Sequence, residues 1–247
     1  MKQRLESTMT DIAIDWGNSL IKVGFFGGQA LEKKIQVRDI YELPKLLSTD
    51  HTNIIVSSVG ENPDVILKMS SASGKKIALN SETPLPIKIN YSTPRSLGVD
   101  RISAVCGAQQ LYPHENCLII DMGTCINYEL LDKHGAYRGG LISPGVRMRF
   151  DAMHTFTARL PLIEPVTNPE LIGNSTATCM QSGVMNGILE EVKGHIARMT
   201  AKYASLRIIL CGGDASFFEN QLKPSIFAAP ELVLLGLNRI LKHNVAI

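Results

Sequence analysis

The sequence predicts an α/β protein built from two copies of one unit. Three observations carry that expectation. An apolar strand closed by Asp, any residue, Gly and a small polar residue occurs twice. The copies are Ile12-Ala13-Ile14-Asp15-Trp16-Gly17-Asn18-Ser19 and Leu118-Ile119-Ile120-Asp121-Met122-Gly123-Thr124, and Asp15 and Asp121 lie 106 residues apart. Each copy is followed by a second apolar run. Elsewhere, apolar runs of strand length alternate with stretches spaced as helices. A chain of 247 residues divides into two halves of ordinary domain size. The halves are expected at 1–114 and 115–247, with the boundary near Pro113-His114-Glu115-Asn116.

Taken in order, residues 1–10 read as a ragged extension. From Ile12 to Phe26 an apolar run, a turn and a second apolar run (Leu20, Ile21, Val23, Phe25, Phe26) read as a β-hairpin. Residues 38–48 place Ile40, Leu43, Leu46 and Leu47 at helical spacing. Ile54-Ile55-Val56 is a buried strand ending at Ser57-Ser58. Residues 63–72 suit a helix with Pro63 near its first turn. Residues 76–94 are strand-like but interrupted by Pro84, Pro86 and Pro94, and 99–112 form a helix rich in small residues. The pattern then restarts with a strand at Cys117–Ile120, a turn, a strand at 126–131 and a hairpin turn at Asp132-Lys133-His134-Gly135. Helices follow at about 146–156 and 176–203. A strand runs from Leu206 to Leu210 into Cys211-Gly212-Gly213-Asp214, and the last helix covers 231–243.

Composition narrows the function classes. A formal net charge of +2 lacks the basic excess of a sequence-independent nucleic-acid binder, so no nucleic-acid partner is expected. The five cysteines form no C-x-x-C pair, which argues against a disulfide framework or zinc ribbon and fits a reduced, cytoplasmic setting. No apolar run reaches the length of a membrane helix, and the polar start lacks the apolar stretch of a signal peptide, so no membrane partner is expected either.

The repeated turn has a clear chemistry. Glycine lets backbone N–H groups approach an anion closely, and Asn18, Ser19 and Thr124 add neutral donors for phosphate oxygens. The strand-end Asp repels a phosphate and is useful to one only through a cation, a hydrated Mg²⁺ or a monovalent ion. Lys22 adds a positive charge three residues past Ser19. Two facing turns of this kind would grip a polyphosphate and its metal from both sides. One Asp-x-Gly turn alone is an ordinary hairpin turn; two, each after a buried strand, point to phosphate. A third glycine turn, Gly212-Gly213, follows a strand and offers a flat backbone to a purine or ribose, although alone it is a simple strand-to-helix turn. Neither a Walker A pattern nor G-x-G-x-x-G is present.

Five segments in one order carry a family resemblance: Asp15-x-Gly17-Asn18-Ser19-x-x-Lys22, Leu97-Gly98-Val99-Asp100-Arg101, Asp121-x-Gly123-Thr124, Gly139-Gly140-x-Ile142-x-Pro144-Gly145 and Cys211-Gly212-Gly213-Asp214. Over roughly residues 11–241 the chain resembles the type III pantothenate kinases of the acetate and sugar kinase/Hsp70/actin superfamily. The resemblance implies two ribonuclease H-like, actin/hexokinase-type domains related by internal duplication. It implies ATP-dependent phosphorylation of pantothenate, the first step of coenzyme A biosynthesis, in a cytoplasmic homodimer using Mg²⁺ and a monovalent cation, K⁺ or NH₄⁺. Asp15, Trp16, Gly17, Asn18, Ser19, Leu20, Ile21, Lys22 and Thr124 would bind ATP. Tyr91, Gly98, Val99, Asp100, Arg101 and Thr176 would bind pantothenate, with Asp100 the general base and Asp121 the holder of the monovalent cation. Elementary chemistry agrees: a carboxylate can take the acceptor hydroxyl's proton, and the fork of Arg101 suits a carboxylate or phosphate.

The chain departs from the family pattern in places. Ser19 stands where Thr is usual, Asn127 and Glu129 replace the later Thr and Asp, and Cys211 replaces the Thr that opens the third turn. Other assignments remain open at this level. His154 either lines a pocket or ends a helix. Arg147, Arg149 and Arg159 form a basic rim or a solvated face. Met148, Met153, Met180 and Met185 belong to a core or a dimer seam. A sugar or acid kinase of the same superfamily, and a non-catalytic nucleotide-binding accessory factor for transcription, are the competing functions.

Overall fold

A computed structural model describes residues 10–48, 51–223 and 225–247. Most of the expected extension at 1–10 lies outside the described residues. The elements in chain order are β1 (Asp11–Trp16), β2 (Ile21–Gly27), β3 (Ala30–Val37), α1 (Leu43–Leu47), β4 (Ile54–Ser58), α2 (Asp64–Met69), β5 (Lys76–Ala78), β6 (Lys88–Ile89), α3 (Val99–Leu111), β7 (Asn116–Met122) and β8 (Cys125–Leu131). They continue with β9 (Ala136–Pro144), α4 (Val146–Thr155), α5 (Thr176–Lys202), β10 (Leu206–Cys211), α6 (Glu219–Leu222), β11 (Phe227–Ala228) and α7 (Leu232–Ala246).

The chain divides into two compact units. One is the chain through Leu111 together with Glu231–Ile247; the other is Tyr112–Pro230. The cut therefore falls at Leu111 rather than at 114/115. The last helix, expected in the second half, belongs to the first unit.

In the first unit the strands run β3-β2-β1-β4-β5. β1 pairs antiparallel with β2 and parallel with β4, and β5 extends the parallel side. Ile12, Ala13 and Ile14 are all fully buried, as a strand covered on both faces must be. Ile12 and Ile14 join Val23, Leu43, Leu47, Ile54, Val56 and Ile66 in one apolar cluster. The expected helix at 38–48 opens as a 3-10 turn at Ile40–Glu42, held by a reciprocal cap between Asp39 and Glu42, and passes into α1. β3 is an element the sequence reading left out. Its Glu32, Lys33 and Lys34 are exposed, which suits a charged edge strand, and Lys33 interrupts the alternation of Leu31, Ile35 and Val37.

Helix α7 is fixed to the first unit by its packing. It meets α3 at two glycines: a side chain on Gly107 would overlap the Leu232 carbonyl, and one on Gly236 would overlap the Ser103 carbonyl. Lys242 of α7 pairs with Asp11 at 2.5 Å, and Asp11 accepts from both the backbone and side-chain nitrogens of Asn53. One buried carboxylate thus joins β1, the start of β4 and the end of α7.

In the second unit the strands run β9-β8-β7-β10-β11, again with antiparallel neighbours on one side of the central strand and parallel ones on the other. The two units repeat one strand order, with β7 in the place of β1. This two-sheet α/β architecture is what the duplicated motif predicted. β9, also unread from sequence, has mostly half-exposed and exposed positions. Helix α5 covers the sheet through Met180, Val184, Met185, Ile188, Leu189 and Val192, a stripe at helical spacing, so Met180 and Met185 are core residues. Among the described residues no helix is long and apolar enough to cross a membrane.

Candidate active site

The first turn lies at the carboxyl end of β1. Register sets Asp15 opposite Lys22 in the hairpin and opposite Ser57 on β4. Because alternate strand residues share a face, these three side chains converge. Lys22 Nζ is 3.5 Å from Asp15 Oδ2, and Ser57 Oγ donates to Asp15 Oδ1 at 3.3 Å. The turn closes with Gly17 N–H donating to the Leu20 carbonyl at 3.1 Å, which leaves Asn18 and Ser19 exposed. Trp16 is half-buried at its base.

Asp15 is only 6% exposed. Burial pushes its carboxyl above the usual range, Lys22 pulls it down, and the neighbouring Asp100 carboxylate pushes it up again, with the net result raised. Two carboxylates of the first unit therefore sense each other, one from the β1 turn and one from α3. That is the surrounding in which a cation or a proton is welcome.

Asp100 sits in the first turn of α3, where the helix N-terminus favours a negative charge. A side chain on Gly98 would reach Asp100 Oδ1 at 2.5 Å, so glycine keeps the approach to this carboxylate open. Arg101 is only 9% exposed, and its guanidinium lies 5.9 Å from the centre of the Tyr91 ring. The expected set Tyr91, Gly98, Val99, Asp100 and Arg101 is thus gathered at one helix start. Thr176 stands in the second unit, exposed in the first turn of α5, whose N-terminus is capped reciprocally by Ser175 and Thr178.

In the second unit Asp121 lies near the end of β7, and Thr124 is exposed in the turn before β8. Two glycines crowd this turn. Gly145, at the start of α4, donates its N–H to the Thr124 carbonyl at 3.1 Å, and a side chain there would overlap the carbonyls of Gly123 and Thr124. Gly212, with φ of 93°, lies against the Met122 carbonyl, and a side chain on it would reach Asp121 Oδ1 at 2.5 Å. The second Asp-x-Gly turn and the Gly212-Gly213 turn are therefore neighbours. Burial raises the carboxyl of Asp214 beside them.

Among the described residues no cluster of three or more His, Cys, Asp or Glu side chains could hold a metal ion. A cation at either turn would share its coordination between one carboxylate, backbone carbonyls, water and substrate oxygens. An oxygen-only donor set of that kind fits Mg²⁺ or a monovalent ion.

Some residues took on roles the sequence did not show. Ser57 was visible only as a strand end, and Gly145 and Gly212 only as parts of motifs. Glu129, fully buried, accepts from Tyr137 Oη at 2.6 Å. Arg149 bonds Glu191 at 2.6 Å and Ser143 at 2.8 Å, so it ties helices to strand rather than forming a rim. His154 bonds the Leu160 carbonyl at 2.8 Å near the end of α4, the helix-end role.

Three comparisons bear on this geometry. The family model described as type III pantothenate kinase matches residues 12–198. A type III pantothenate kinase of Cytophaga hutchinsonii is 40% identical over 236 residues, covering 95% of this chain and 100% of that protein. One of Christiangramia forsetii is 41% identical over 239 residues, covering 95% and 98%. Among solved structures, a Baf family transcriptional activator from Campylobacter jejuni aligns with a TM-score of 0.64 at 21% identity, covering 96% of this chain and all of that one. At that identity the likeness speaks for the fold alone.

Proposed function

The chain belongs to the type III pantothenate kinase family, and on that premise we propose how its residues carry a phosphoryl group from ATP to a hydroxyl of pantothenate. The observation that carries the assignment of roles is the grouping of Asp15, Lys22 and Asp100 in the first unit, with Lys22 paired to Asp15 and the Asp100 carboxylate near enough to push the Asp15 carboxyl up.

The acceptor hydroxyl oxygen attacks the γ-phosphorus, and a new O–P bond forms. The bond from that phosphorus to the bridging oxygen breaks, and ADP leaves with its electron pair. Asp100 takes the hydroxyl proton. Arg101 and Tyr91, with the backbone of Gly98 and Val99, hold pantothenate, the guanidinium serving its carboxylate. The turn from Trp16 to Ile21 supplies backbone and hydroxyl donors to the ATP phosphates. Lys22, already 3.5 Å from Asp15, neutralises charge there. Mg²⁺ travelling with ATP, met by Asp15, would supply further neutralisation of the phosphate oxygens.

In the second unit Thr124 would also contact ATP, and Asp121 would hold a monovalent cation, K⁺ or NH₄⁺. The protein would work in the cytoplasm as a homodimer, with Thr176 reaching pantothenate. Support for a dimer comes from the 156–172 segment, where Phe156 (85% exposed), Leu171 (75%) and Ile172 (82%) present large apolar side chains to solvent.

The test mixes purified protein with ATP, Mg²⁺ and pantothenate, with and without potassium, and follows 4′-phosphopantothenate by mass spectrometry. Product formation that depends on potassium and falls by about 10²–10⁴-fold in Asp100→Asn is expected. No product under any cation, while Trp16 fluorescence still responds to ATP, would overturn the substrate assignment.

A further inference from the structure

We propose that Ser57 is a positioning residue for phosphoryl transfer: its hydroxyl, donated to Asp15 Oδ1, fixes the carboxylate so that Asp15 can meet the cation of the nucleotide. The proposal rests on the reading above that Asp15 serves ATP through a cation.

Ser57 is the last residue but one of β4, the parallel neighbour of β1, and pairs in register with Asp15. It is 1% exposed, and Asp15 is 6% exposed. A hydroxyl so deeply buried needs a partner, and the carboxylate provides it at 3.3 Å. The two Asp15 oxygens are served separately, Oδ1 by Ser57 and Oδ2 by Lys22. The lysine is mobile by nature, because a long flexible stem carries its charge. Its side chain is 29% exposed, so it is free to turn to a phosphate when one arrives. The serine has one rotatable bond and sits on a strand inside the sheet, so its hold on Oδ1 persists whichever way Lys22 turns. An aspartate that must bind a cation through one oxygen gains from having the other already fixed, because less freedom is lost on binding.

The consequence is specific. Removing the hydroxyl should weaken binding of the metal-bearing nucleotide and spare the metal-free nucleotide, which Asp15 does not attract. The experiment titrates Mg·ADP, and ADP in excess chelator, into the wild-type protein and Ser57→Ala, reading Trp16 fluorescence and checking by calorimetry. The expected result is a Kd for Mg·ADP about five- to tenfold higher in Ser57→Ala, with the chelator Kd unchanged. Ser57→Thr, which keeps the hydroxyl, should restore the Mg·ADP affinity. If Ser57→Ala does not fold, Ser57→Cys, close in shape but a weak donor, takes its place in both titrations.

An equal loss with and without Mg²⁺ would make the serine a general support of the turn and overturn the proposal, as would no loss at all. A wild-type protein that binds Mg·ADP no better than ADP would instead overturn the underlying reading of Asp15. A wild-type preference that survives Ser57→Ala removes only the part assigned to the serine.

Discussion

Replacing Gly236 by alanine sets two effects of known size against each other. In the interior of a helix, alanine is favoured over glycine by about 1 kcal/mol. At Gly236 the added methyl would overlap the Ser103 carbonyl and approach the Gly107 nitrogen to 2.8 Å, both of them backbone atoms of α3. A side chain could turn aside; a helix backbone has to move as a body. Overpacked sites lose about 1–3 kcal/mol, and an obstacle of this stiffness belongs at the upper end. The net loss is then about 2 kcal/mol. For a chain of this size that lowers Tm by about 4–8 °C. The control is Gly194→Ala on α5, where nothing lies within 4 Å of the new carbon, so the propensity effect acts alone and Tm should rise by about 2–4 °C. Thermal unfolding followed by circular dichroism reads both. Since α3 opens with Val99 and carries Asp100 in its first turn, Gly236→Ala should also lower turnover, while Gly194→Ala should not. A Gly236→Ala protein as stable as wild type would refute the close α3–α7 crossing.

Other substitutions test other parts of the structure. Asp11→Ala strips the partners from two Asn53 donors and from Lys242 at a site only 1% exposed, and should cost about 3 kcal/mol in urea unfolding; Lys242→Met, which leaves the Asn53 bonds in place, should cost less. Asp132 closes the β8–β9 hairpin. Burial would push its carboxyl up, but the Ala136 and His134 backbone N–H groups and the Arg138 side chain outweigh this and hold it below its ordinary value. Its contribution to stability is therefore complete above that ordinary value and lost as pH falls through the lowered one. Asp132→Asn should cost about 2 kcal/mol at neutral pH, with the gap to wild type narrowing as pH falls below the ordinary carboxylate value. A thiol reagent applied to native protein should label the exposed Cys179 first and the half-buried Cys125 next. Cys106 and Cys117 should react only on unfolding, the latter with its thiol pushed by burial up to about 12, as peptide mass spectrometry would show.

The elements read correctly from sequence are those whose signal fits in a short window. The strands around Ile12–Ile14 and Leu118–Ile120 are continuous apolar runs because both faces are covered. The helix of α5 shows its stripe because one face meets a core and the other meets water. β3 and β9 carry a weaker signal. In β3 the exposed Glu32-Lys33-Lys34 run breaks the alternation of Leu31, Ile35 and Val37. The site shows the same division. Asp15 and Lys22 were legible because a tight hairpin puts them opposite each other. The link from Asp15 to Ser57 spans 42 residues, and it exists only because β1 and β4 pair in one register.

By itself the sequence determined the two Asp-x-Gly turns, the strand runs that present them, and the ordered motifs that mark the family. These are local matters of which residues can end a strand, free a backbone N–H or carry a charge. Tertiary structure alone decided that the last helix belongs to the first unit, that Gly107 and Gly236 let α3 and α7 meet, and that Gly212 packs beside Asp121. Those outcomes depend on which surfaces come together, and a surface is made from residues far apart in the chain. No window of sequence holds both sides of such a contact.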